Sequence, residues 1–104
     1  MIAVPQTFKL GGRTWEVRVV SKEEITRRAD AGDEDILGLC IAHDAEILLQ
    51  EGQKPATLQH TFYHELTHAL CETLGWKRLN KNEAKVDALG GLLYQYLQTK
   101  KGRT

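Results

Sequence analysis

Residues 55–75 read PATLQHTFYHELTHALCETLG, and the organisation of the chain follows from them. Pro55 is placed to start a helix, because the N–H it lacks is one the first turn leaves unpaired anyway. From Ala56 to Leu74 the apolar residues Leu58, Phe62, Leu66, Ala69, Leu70 and Leu74 recur at helical spacing, and Gly75 suits the left-handed residue that ends a helix. The spacing predicts one long amphipathic helix over 56–74. Its middle carries Tyr63-His64-Glu65-Leu66-Thr67-His68.

Two histidines at i and i+4 leave one face of a helix about a turn apart, so both imidazoles can reach one tetrahedral Zn²⁺ at about 2.0–2.1 Å. Glu65 lies about 100° round from His64 and does not point at the metal as a ligand. It can face a metal-bound water instead, which is the position of a general base. A catalytic zinc needs a third protein ligand and an open fourth position. Asn82-Glu83-Ala84-Lys85-Val86-Asp87 offers Glu83 and Asp87, again at i and i+4, on the next helix. Glu83 can be the third ligand. Asp87 can accept a hydrogen bond from the far ring nitrogen of a ligating histidine, fixing its tautomer and raising its basicity. Gly90-Gly91 removes side-chain bulk one turn on, where the two helices have to approach closely.

Outward from these helices the pattern changes period. Thr7–Leu10 and Thr14–Val20 are β-rich and flank Gly11-Gly12-Arg13, which reads as a hairpin; Trp15, Val17 and Val19 alternate with Glu16 and Arg18, predicting one buried face. Ser21 with Glu24 is a capping-box pattern that opens a short helix through about Ala31, broken by Gly32-Asp33-Glu34-Asp35. A second hairpin is predicted over Ile36–Ala42 and Glu46–Gln50, turning at His43-Asp44-Ala45. Lys77–Lys81 reads as a short connection, with Asn80 or Asn82 able to cap the last helix. That helix runs to about Thr99, with Val86, Leu89, Leu93, Tyr96 and Leu97 on its predicted buried stripe, before a basic tail over 100–104. Trp15 and Trp76 read as anchors of the core or its edge. The expected fold class is α+β in a single domain over residues 1–104: a small, twisted sheet backed by an active-site helix and a glutamate helix.

Composition narrows the function classes. With 104 residues, 41% hydrophobic, the chain can build one core without staples. Fourteen basic and fourteen acidic side chains balance, giving no basic excess to favour nucleic acid as the main partner. No apolar run approaches the roughly 20 residues of a membrane span, and Met1–Gln6 lacks the regions of a signal peptide. Cys40 and Cys71 sit among apolar neighbours and read as reduced, buried thiols. The expectation is a cytoplasmic protein with neither a nucleic acid nor a membrane as partner.

His64-Glu65-x-x-His68 followed by Asn82-Glu83-x-x-x-Asp87-x-x-Gly90 resembles the gluzincin metallopeptidases, and the short length resembles the minigluzincins and the phage-associated ImmA/IrrE-like metallopeptidases. The resemblance covers about residues 36–97. It implies a minimal zincin-like domain with one Zn²⁺ per chain held by His64, His68 and Glu83, with Glu65 as base and Asp87 as partner of His64. It implies that the strand Glu46-Ile47-Leu48-Leu49-Gln50 is the edge along which an extended peptide or protein substrate pairs. Larger relatives stabilise the oxyanion with a His or Tyr, and His43, His60, Tyr63, Tyr94 and Tyr96 are the candidates here.

The competing class is a catalytically weak or inactive zinc-binding regulatory module of a phage or mobile element; a zinc that merely staples two helices is a third. The coordination sphere discriminates. Three protein ligands favour an enzyme, whereas a fourth, which His60 or Cys71 could supply, would close the site.

Overall fold

A computed structural model describes residues 4–30, 32 and 34–103. Two hairpin-like pairs build the sheet. Strands β1 (Thr7–Leu10) and β2 (Arg13–Val20) pair antiparallel, as do β3 (Gly38–Ile41) and β4 (Glu46–Gln50), the latter two joined by a short 3₁₀ turn at Ala42–Asp44. Between the pairs, β2 and β4 run parallel, so the four-stranded mixed sheet has the order β1-β2-β4-β3. The parallel join is possible because the chain from β2 to β4 passes through helix α1 (Lys22–Ala29) and the whole of β3. Ser21 caps α1 by accepting from the Glu24 N–H at 3.1 Å. Ala31 and Asp33, assigned from sequence to the end of this helix and the break after it, lie outside the described residues, as do Met1–Ala3 and Thr104.

Helix α2 (Pro55–Leu74) covers one face of the sheet. Trp15 and Val17 of β2, Ile47 and Leu49 of β4, and Phe62 and Ala69 of α2 form one buried cluster. On the opposite face Val20, Ile25 of α1 and Leu48 form a second. β4 is therefore covered on both sides, and Ile47, Leu48 and Leu49 are all fully buried. A four-residue helix, α3 (Lys77–Asn80), links α2 to α4 (Glu83–Thr99), which packs on the outside of α2.

The order of strands corrects the expected substrate edge. Glu46, Ile47, Leu48, Leu49 and Gln50 form an interior strand whose two edges are taken by β2 and β3. A strand buried on both faces reads as a continuous apolar run, and Ile47-Leu48-Leu49 is one. The sheet's edges are β1 and β3.

Three burial expectations also change. Val19 is half exposed, because the buried line of β2 ends at Val17 and the far face takes over at Val20. On α4 the buried positions are Val86 and Gly90, with Leu93 and Leu97 half-buried, while Leu89 and Tyr96 face solvent. The contact line centres on a glycine: a Cβ at Gly90 would lie 2.9 Å from the Tyr63 carbonyl oxygen and 3.1 Å from His64 Cα, so the helices touch backbone to backbone. Residues chosen for their apolar side chains fall beside that line. Leu74, the last residue of α2, and Trp76 just beyond it are exposed. No helix among the described residues is long and apolar enough to cross a membrane.

Candidate metal centre

Every side chain that the sequence assigned to the metal site comes from α2 or α4. His64 and His68 project from the middle of α2, and the helices' close approach at Gly90 brings the first turn of α4 against them. Asn82 starts α4 by accepting from the Lys85 N–H at 3.0 Å, which puts Glu83 in the first turn and Asp87 one turn later. Asn80, the other candidate cap, does something else.

His64 Nε2 lies 3.1 Å and His68 Nε2 3.3 Å from Glu83 Oε2, and the three ligating atoms all fall within 4.8 Å of one another. In a tetrahedral sphere of zinc's usual radius, neighbouring donor atoms sit about 3.3–3.4 Å apart. The two histidine–glutamate separations match such a sphere.

The far nitrogens are already committed. His64 Nδ1 donates to Asp87 Oδ1 at 3.0 Å. His68 Nδ1 donates to Asn80 Oδ1 at 2.6 Å, and the Asn80 amide is oriented by donating its N–H to Glu72 Oε1 at 2.9 Å. An ionised carboxylate accepts only, and a neutral imidazole that donates from Nδ1 keeps a lone pair at Nε2. Two nitrogen lone pairs and a carboxylate thus converge with no hydrogen between them when the rings are neutral. The arrangement needs a cation at its centre: protons on the rings, or a metal ion. His60 and Cys71 are not part of the cluster, which among the described residues has three donors.

Charge follows the same geometry. Burial lowers the pKa of His64, but its bond to Asp87 and the charges of Glu65 and Glu83 outweigh that and leave it above its ordinary value. Glu65 is 7% exposed, and burial pushes its carboxyl up to about 7, against the pull of His64 and His68 and with a further push from Glu83. Among the described residues Glu65 has no hydrogen-bond partner within the protein. A buried carboxylate with no partner takes one from water or a ligand.

Glu65 and Gly38 are shared by two cavities on either side. One, about 310 Å³, is lined by Leu37, Thr57, His60, Thr61, His64 and Asp87. The other, about 230 Å³, is lined by Leu39, Cys40, His68, Glu72, Asn80 and Glu83. Gly38 is what lets β3 run this close: a Cβ there would lie 2.6 Å from Thr61 Cγ2 and 2.9 Å from Glu65 Cγ. Burial drives the half-buried Cys40 thiol up to about 12, with Glu65 and Glu72 adding to it, so it stays protonated. Cys71 is buried, and both cysteines are free.

Of the five oxyanion candidates, His60 lines the larger of the two cavities flanking Glu65, and the others line neither. His43 and Tyr96 are exposed, and Tyr63 and Tyr94 pack against one another with tilted rings, centroids 5.8 Å apart. Asn80, Glu72 and Gly38 escaped the sequence reading. For Asn80 the available signal was a polar residue twelve positions beyond a ligand histidine, which any loop could supply.

No protein-family model, curated protein sequence or solved structure matches the chain.

Proposed function

We propose that this chain is a zinc-dependent peptide hydrolase of the minimal gluzincin, zincin-like type, with Glu65 as general base. One observation carries the reading: beside three converging metal-ligand atoms, a buried carboxylate with no partner opens onto two cavities. A structural metal needs no such neighbour, and three ligands leave the fourth position that catalysis requires. His64, His68 and Glu83 would hold the ion. When bound, zinc supplies Lewis acidity, acidifying water and polarising a carbonyl oxygen.

The residues of the chain do the rest. Asp87 and Asn80 keep both Nε2 lone pairs aimed at the ligand position. Glu65 takes a proton from the attacking water as its oxygen bonds to the scissile carbonyl carbon. It then delivers that proton to the nitrogen as the C–N bond breaks, leaving a carboxylate and an amine. Burial keeps its affinity for the proton in the range where both transfers run near neutral pH. The extended substrate pairs with the edge strand β3, which borders both cavities at Gly38, rather than with interior β4. His60, in the wall of the larger cavity, would donate to the carbonyl oxygen.

The test is hydrolysis of an unfolded protein by zinc-loaded wild type and by Glu65→Gln, with metal content measured on the same samples. The variant is expected to keep its zinc and to lose about 10²–10⁴-fold in rate. Equal rates with zinc retained would remove Glu65 as the base.

A further inference from the structure

The segment that joins the two halves of the metal centre has a second face. Trp76–Lys85 carries four cations, Lys77, Arg78, Lys81 and Lys85, against one carboxylate, Glu83. Asn80 and Glu83 turn toward the histidines. On the other side Trp76, Lys77, Arg78, Leu79, Asn82 and Lys85 line an open cavity of about 580 Å³, larger than either cavity at Glu65. No acidic residue lines it. Among the described residues none of Lys77, Arg78 and Lys85 is paired with a carboxylate. Trp76 is 54% exposed, whereas Trp15 is 1% exposed.

Each property asks for a complement. Three unpaired cations around one cavity call for an anion of more than one charge. A half-exposed indole beside them offers a flat π-face, on which a base stacks for about 1–3 kcal/mol. Acidic peptides answer the first requirement and not the second. The volume is within the roughly 300–1,000 Å³ of small-molecule sites.

We infer that this cavity binds a nucleoside phosphate, its base stacked on Trp76 and its phosphate held by Lys77, Arg78 and Lys85. The inference is independent of the proposed hydrolase activity. The balanced charge of the whole chain conceals the site, because the cations gathered here are offset by acids elsewhere. The nucleoside phosphate can be free or a unit of a single strand; the chemistry that the cavity reads is the same.

The test titrates the protein with AMP, following Trp76 fluorescence and, independently, calorimetric heat. Adenosine, inorganic phosphate, a short single-stranded oligothymidylate and an oligoglutamate peptide serve as the comparison ligands. AMP is expected to bind at least about tenfold more tightly than adenosine or phosphate alone, since only it meets both halves of the cavity. Trp76→Ala and Arg78→Ala should each weaken it about tenfold by calorimetry and leave zinc content unchanged; both positions are exposed, so the fold is retained. An oligonucleotide binding more tightly than AMP, with the same response to both variants, supports the inference with a single strand as the source. Phosphate or oligoglutamate binding as tightly as AMP would overturn it, as would AMP binding that neither variant changes or no AMP binding up to millimolar concentration.

Discussion

His64 and His68 leave α2 one turn apart, yet the arms that hold them are built differently. On the α4 side, Asp87 puts a full negative charge on the far nitrogen of His64, and both partners are partly open to solvent. On the α3 side, His68 is bonded to a neutral amide at 2.6 Å, and that amide is oriented in turn by Glu72. The first arm raises the basicity of its imidazole through charge, which exposure and salt screen. The second fixes orientation through a relay of hydrogen bonds. One helix thus presents two equivalent candidate ligands through unlike supports.

The difference is testable because the two supports fail in different ways. Asp87→Ala and Asn80→Ala should each weaken zinc affinity by about 10–100-fold, with the Asp87 variant at the upper end because it also loses charge. Asp87→Asn keeps an acceptor without the charge, and is expected to recover only part of the loss. Chelator competition at two salt concentrations reads all three, and only the Asp87 effect should shrink at high salt. Equal salt dependence in both arms would break the comparison.

A smaller effect comes from Glu65 between them. In metal-free protein its carboxyl is raised to about 7, so the folded state holds a proton that the unfolded chain releases near 4.5. Stability from this group is complete below the unfolded value and is lost as pH rises through the folded one. Metal-free Glu65→Gln should therefore match wild type near pH 4 and exceed it at pH 8 by on the order of 3 kcal/mol in urea unfolding. A variant less stable than wild type at pH 8 would show that the buried charge is compensated.

The smallest concerns the joint that brings the arms together. Gly90→Ala gains roughly 1 kcal/mol of helix propensity, but its Cβ meets the Tyr63 carbonyl oxygen at 2.9 Å. The helices must part, with an expected net loss of about 1–2 kcal/mol in urea unfolding and weaker zinc binding. A more stable variant with unchanged zinc affinity would mean that the contact can relax.

The two arms also mark how far the sequence could be read. His64, His68, Glu83 and Asp87 were legible because helical spacing alone puts each pair on one face, and a glycine three residues past the last acid signals the contact. Asn80 was not, since a four-residue helix has no period to read, and its bond depends on how α3 turns back toward α2. The strands themselves were legible to within a residue or two, but their order was not. Two hairpins can join by either edge, and the apolar run Ile47-Leu48-Leu49 was the clue that β4 lies inside. On α4 the apolar residues at 89 and 96 misdirected the buried stripe, because the true contact line passes through a position with no side chain.

The most direct test of a metal centre here is the metal content of the purified protein, wild type beside His64→Ala and Glu83→Ala. The account predicts about one zinc per wild-type chain, lost or greatly weakened in both variants while the fold persists. Wild-type protein that takes up no zinc even after loading, or variants that retain it fully, would contradict it.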